Sequence, residues 1–126
     1  MKVVLIEDCL ALRRLMVQRL ELESGISVVG QADCESAAVA TVALSHPDVV
    51  LVDLSITAGT GLSVISRIRE GGFRGKVFVL SSEDRAVYGP QVMCRGADGF
   101  YDKAFDFEDL MGELSALSRR GWLSAA

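Results

Sequence analysis

The chain has 126 residues, half of them apolar, with 13 basic and 17 acidic side chains and a net charge of -4. That length suits one domain whose core needs no staple, and mixed, mildly acidic charge without a basic stripe argues against direct nucleic-acid binding. No apolar run is long enough to span a membrane, and Lys2 to Ile6 followed by Glu7-Asp8 is too short and wrongly flanked for a signal peptide, so a cytoplasmic protein is expected.

Lys2 to Ile6 reads as a first apolar strand ending in acid, Glu7-Asp8. From Leu10 an amphipathic helix follows, with Leu10, Leu12, Leu15, Met16, Leu20 and Leu22 as its apolar positions, and it stops near Ser24-Gly25. Ile26 to Ala32 is a short strand. Asp33 is placed to cap a helix through about Ser45, its apolar face made of Ala37, Ala38, Ala40, Val42 and Leu44. His46-Pro47 ends that helix, and His46 reads as a surface turn residue. The run Asp48-Val-Val-Leu-Val-Asp53 has the continuous apolar character of a strand buried on both faces of a parallel sheet. It delivers Asp53 to the carboxyl edge and breaks into the Gly-rich loop Ser55-Ile-Thr-Ala-Gly-Thr-Gly61. Thr60 or Gly61 opens a helix carrying Leu62, Val64, Ile65 and Ile68 to about Glu70, and Gly71-Gly72 stops it.

Lys76 to Leu80 is the fourth strand, followed by Ser81-Ser82-Glu83. Asp84 to Arg95 has a helical rhythm, but Gly89-Pro90 inside it predicts a short, displaced or late-starting helix. Gly96 to Tyr101 contains the fifth strand, and Asp102-Lys103 follows. Asp106 is expected to cap a last helix with Leu110, Met111, Leu114 and Leu117 inward and Arg119-Arg120 at its carboxyl end. Residues 1–120 form the domain and 121–126 a short tail. Cys9, Cys34 and Cys94 are odd in number and lack metal-type spacing, so buried reduced thiols are expected.

Strands alternating with helices predict an α/β fold: a single doubly wound, five-stranded parallel sheet of order 2-1-3-4-5 flanked by five helices. The first and third strands are then neighbours, which brings Glu7, Asp8 and Asp53 to one crevice with Ser81 and Lys103 at its flanks. Three close carboxylates stay ionised only with a cation among them, and a hard divalent ion such as Mg2+, which takes oxygen ligands, suits the set. With the Lys103 ammonium and the Ser81 hydroxyl they form a cradle for a phosphoryl group, in which a carboxylate can act as nucleophile. Taken singly, these residues have plainer readings: Glu7-Asp8 as a strand end and cap, Asp53 and Ser81 as turn formers, Lys103 as a solvated lysine and Phe100 as core.

Four segments in order, Val-Leu-Ile-Glu7-Asp8, Asp48 to Asp53 with Gly61, Val79-Leu-Ser81-Ser82 and Gly96 to Lys103, resemble the receiver domain of bacterial two-component response regulators, which has the flavodoxin-like fold. The resemblance covers essentially the whole chain. It implies that Asp53 accepts a phosphoryl group from a phosphohistidine on a sensor histidine kinase or phosphotransfer protein. It also implies that Glu7, Asp8, Asp53 and the backbone carbonyl of Ser55 hold Mg2+. Lys103 matches the lysine that contacts the phosphoryl oxygens, Ser81 the switch hydroxyl and Phe100 the switch aromatic. The face switched is the fourth helix, fifth strand and fifth helix, and a phosphorylation-dependent homodimer is a further expectation. Enzymatic turnover beyond self-phosphorylation and autodephosphorylation is not expected.

Gly25-Ile-Ser-Val-Val-Gly-Gln-Ala32 is similar to the NarL/FixJ-type subgroup, whose usual output is a helix-turn-helix domain; the chain reads as a stand-alone receiver or one cut after the receiver. Thr57 and Thr60 stand where Pro and Asp are usual, which puts loop rigidity in question. Ala104 stands where Pro is common after Lys103, and Gly89-Pro90 falls in the signalling helix. A pseudo-receiver, an interaction module without phosphorylation switching, is therefore an alternative. Asp53-Leu-Ser-Ile-Thr57 also faintly resembles the nucleophile loop of haloacid-dehalogenase-type phosphatases, but that family places a second Asp where Ser55 stands. Ser55 and Glu83 border the cradle as candidates for tuning hydrolysis, and Cys9, beside Asp8, is a candidate for redox sensitivity although packing is the simpler role.

Overall fold

The computed structural model describes residues 1–121, and the tail expected at 121–126 lies outside them from residue 122 onward. The elements are β1 (Lys2–Ile6), α1 (Leu10–Glu21), β2 (Ser27–Ala32), α2 (Glu35–Ser45), β3 (Val49–Val52), α3 (Gly61–Glu70), β4 (Lys76–Ser81), α4 (Arg85–Cys94), β5 (Gly99–Asp102) and α5 (Phe107–Arg119). All strand pairs are parallel, and the order is β2-β1-β3-β4-β5, as expected.

Alternation along each strand divides the core in two. Val4, Ile6, Val50, Val52, Val77 and Val79 face α2, α3 and α4, where they meet Ala38, Val42, Val64, Ile65, Ile68 and Val92. Val3, Leu5, Val49, Leu51, Phe78 and Leu80 face α1 and α5, against Met16, Leu20, Leu110, Met111, Leu114 and Leu117. Both faces of the central strands are covered, which is why their sequences run apolar without interruption. Among the described residues, no helix is long and apolar enough to cross a membrane.

The helices depart from expectation in several places. In α1 the buried residues are Met16 and Leu20, and in α2 they are Ala38 and Val42, while Leu10, Leu15, Leu22 and Leu44 are exposed. A helix resting on one side of a sheet buries an i, i+4 stripe, narrower than the apolar positions in these sequences. Cys34, not Asp33, is the N-cap of α2, and it makes no side-chain cap. Asp33 instead offers its backbone carbonyl to the Thr57 amide at 3.1 Å. Thr60 does cap α3, its hydroxyl accepting from Ser63 N at 3.1 Å.

Helix α4 is neither displaced nor late. Asp84 caps it through a bond from Ala86 N (2.9 Å), and Pro90 sits within it on the exposed side. Asp106 is at the N-cap of α5, but its carboxylate accepts from Asp102 N (2.9 Å) and from Arg85 instead of capping. The Lys103–Ala104 bond is trans. The thiols correct the expectation of burial: Cys9 and Cys94 are exposed and Cys34 is half-buried, because they lie at helix ends outside the core. His46 is exposed and ends α2 in the left-handed conformation, φ 48°.

Candidate functional site

Register builds the site. Ile6 lies opposite Val52, and Asp53 N donates to Ile6 O at 3.0 Å, so the next residues, Glu7 and Asp53, leave the sheet side by side. Ser81 pairs with Asp102, which puts Lys103 one residue beyond the same edge. The expected convergence is present. Lys103 Nζ lies 2.7 Å from Asp53 Oδ2 and 2.8 Å from Glu7 Oε1. Carboxylate oxygens of Glu7, Asp8 and Asp53 lie within 4.8 Å of one another.

Glu7 is 2% exposed and Asp53 5%, whereas Asp8 is open to solvent. Burial pushes the Glu7 carboxyl above its usual range, against hydrogen bonds from Lys103 and from the Cys9 amide, and the nearby Asp53 charge adds to the push. Burial also works against the Lys103 ammonium, but its hydrogen bonds to Asp53 and Glu7 prevail and hold it above the usual lysine value. Three carboxylates against one ammonium leave two negative charges in excess. One divalent cation balances them. Octahedral Mg2+ at about 2.0–2.1 Å from each oxygen spans roughly 4 Å between opposite ligands, so a set this compact suits it.

Gly61 makes the loop possible. A Cβ there would stand 2.2 Å from the Asp53 carbonyl, so only glycine lets α3 begin this close to the acid. Ser55 leaves the strand on the exposed side, its amide 3.3 Å from Asp53 Oδ1 and its hydroxyl donating to Glu83 Oε1 at 3.2 Å. Ser81 is fully buried at the end of β4, and its hydroxyl accepts from Glu83 N at 3.0 Å, so it is held to its own loop in this structure. Phe100 is half-buried against the α2–α4 side of the core, with the Arg85 guanidinium 5.8 Å over its ring.

Two residues that sequence reasoning passed over stand out. Arg85 joins α4 to the start of α5 through Asp106 while it covers Phe100. Glu35, in the first turn of α2, accepts from Thr60 N in the loop after Asp53 and from Ser63 Oγ in the first turn of α3. The only sequence signal for Glu35 was indirect: Thr57 and Thr60 left that loop in need of another anchor.

The sequence profile of the response regulator receiver domain matches residues 3–115. The nitrate/nitrite response regulator protein NarL of Escherichia coli is 30% identical over 112 residues, covering 89% of this chain and 52% of that protein. The two-component response regulator PhoP of Pseudomonas aeruginosa is 32% identical over 120 residues, covering 95% of this chain and 52% of the relative. The chain therefore spans about half the length of the curated relatives it matches. Among solved structures, the signal receiver domain of NarL from Mycobacterium tuberculosis superposes with a TM-score of 0.84 at 26% identity, over 94% of this chain and 95% of that one.

Proposed function

Because the chain belongs to the response regulator receiver domain family of two-component systems, we propose that it is a phosphorylation switch with Asp53 as the phosphoacceptor. The observation that carries the reading is the Lys103 ammonium held between Asp53 and Glu7 beside a third carboxylate, Asp8. The donor is a phosphohistidine on a sensor kinase or phosphotransfer protein. An Asp53 carboxylate oxygen attacks phosphorus, the new O–P bond forms as the N–P bond breaks, and the imidazole leaves on the partner.

Glu7, Asp8 and Asp53, with the carbonyl of Ser55, would hold Mg2+, which neutralises charge on the phosphoryl oxygens when bound. Lys103 already touches Asp53 and is placed to follow those oxygens as the group arrives. Burial of Glu7 and Asp53 strengthens each of these interactions and needs no acid–base machinery. Once Asp53 carries the phosphoryl group as an acyl phosphate, its added charge draws the Ser81 hydroxyl from Glu83 N, frees the half-buried Phe100 ring to move inward, and alters the α4–β5–α5 face. That face then controls a partner, an output segment or a second copy of the chain, in the cytoplasm.

Intact mass after incubation with acetyl phosphate tests the reading. A phosphoryl adduct that needs magnesium and is absent from Asp53→Asn supports it. No adduct on a folded wild type refutes it.

A further inference from the structure

The loop between Asp53 and α3 carries Thr57 and Thr60 where Pro and Asp are usual, yet it is tied down at every turn. Thr57 N donates to Asp33 O (3.1 Å) and Glu35 N to Ala58 O (2.8 Å). The Glu35 carboxylate then gathers three donors from the loop and the helix behind it: Thr60 N at 3.1 Å, Ser63 Oγ at 2.7 Å and Arg67 Nη1 at 3.0 Å. Thr60 in turn pairs with Ser55 in an isolated antiparallel bridge. One carboxylate on α2 therefore reaches, through one backbone amide and one bridge, the residue two positions after Asp53.

The loop is shaped around that carboxylate. Gly59 has φ +89°, and a Cβ built on it would lie 2.3 Å from Glu35 Oε1 and 2.5 Å from Glu35 Cβ. Any larger residue would expel the Glu35 side chain. Its three hydrogen bonds also hold the carboxyl below the usual range, those from Ser63 and the Thr60 amide foremost, so it is ionised at neutral pH.

We propose that Glu35 is a positioning residue for the metal: through Thr60 and the Ser55–Thr60 bridge it sets the place of the Ser55 carbonyl in the ion's oxygen shell. The proposal rests on the metal-assisted phosphoacceptor reading above. Residues that orient a metal's direct ligands typically matter about 10–100-fold in affinity when removed. Glu35 touches neither Asp53 nor Lys103, so its loss leaves the reacting groups in place.

The test is magnesium titration calorimetry on wild type, Glu35→Ala, Glu35→Gln, Glu35→Asp and Gly59→Ala, with the acetyl phosphate rate followed against magnesium concentration. Glu35→Ala should weaken magnesium binding by about tenfold or more. Its phosphorylation rate at saturating magnesium should stay near wild type, so the half-saturating concentration moves and the plateau does not. Glu35→Gln, which keeps an oxygen toward Thr60, should restore most of the affinity. Gly59→Ala, which crowds the carboxylate and also strains the loop backbone at φ +89°, should weaken binding in the same direction, and Glu35→Asp, which withdraws the carboxylate by one methylene, serves if Glu35→Ala fails to fold. Equal magnesium affinities in folded variants and wild type would overturn the clamp alone, even if melting points fall. A wild type that binds magnesium but takes no phosphoryl group would overturn the phosphoacceptor reading alone, and the affinities would still decide the clamp.

Discussion

Replacing Lys103 by Met removes the only cation in contact with both Glu7 and Asp53 among the described residues and keeps a side chain of similar length. The two carboxylates are 2% and 5% exposed, and Lys103 is 21% exposed, so water compensates little. Breaking a buried ion pair in this way costs about 3–5 kcal/mol when the remaining charge has no escape. Here Glu7 has one, because its carboxyl is already raised by burial and can take up a proton. For a group with an ordinary value of 4.5, that uptake at pH 7 costs about 3.4 kcal/mol, at about 1.36 kcal/mol per pH unit. The expected destabilisation at pH 7 without metal is therefore about 3 kcal/mol. The sign with pH follows from the same proton: the folded variant binds it more tightly than the unfolded chain, so stability returns as pH falls. By about pH 5 most of the loss should be recovered, at up to about 1.4 kcal/mol per unit. Urea denaturation with a chelator present, at both pH values, measures it. A loss below about 1 kcal/mol at pH 7, or one that does not shrink on acidification, would refute the reasoning.

Glu7→Gln removes a carboxylate whose ionisation burial opposes, so without metal at neutral pH it should melt above wild type. It should also lack the wild-type gain in stability as pH falls toward the ordinary carboxylate range. Magnesium at about 100 times its dissociation constant stabilises a binding-competent fold by about 2.7 kcal/mol, and the variant should lose most of that shift; an undiminished shift in thermal melts would count against Glu7 as a ligand. Pro90→Ala restores the amide that can bond Ala86 O within α4 and should stabilise the domain by up to about 3 kcal/mol. Hydrogen exchange along α4 should slow in that variant, and unchanged protection would show that the proline costs the helix nothing.

The convergence of Glu7, Asp8, Asp53 and Lys103 was legible in the sequence, because these residues lie at the ends of strongly patterned elements. The uninterrupted apolar runs before Glu7 and Asp53 are short, β-branched and bounded by turn residues, which reads as central strands, and right-handed parallel crossovers leave few orders for them. Gly61 and Thr60 announced a turn and a cap by their own chemistry, and both serve so. The misses are residues whose roles depend on distant partners. Asp33 and Asp106 looked like caps by type and position, yet one supplies only its carbonyl to Thr57 and the other is claimed by Arg85 and Asp102 N. The exposed leucines of α1 fit helical periodicity equally well whether or not anything lies against them. Pro90 was expected to shorten or displace α4, but a lost amide bond costs stability without ending a helix that Asp84 caps and Val92 anchors in the core.

The strands, their order and the acids at their carboxyl ends follow from local pattern, since side-chain period and backbone handedness act locally and repeat along the chain. Which side chains become partners at a distance depends on the assembled fold. Glu35 meets Ser63 and Arg67 across 28 and 32 residues, and Arg85 meets Asp106 across 21. Hydrogen bonds and ion pairs act over about 3 Å, so no spacing in the sequence can disclose them until the sheet has brought their ends together.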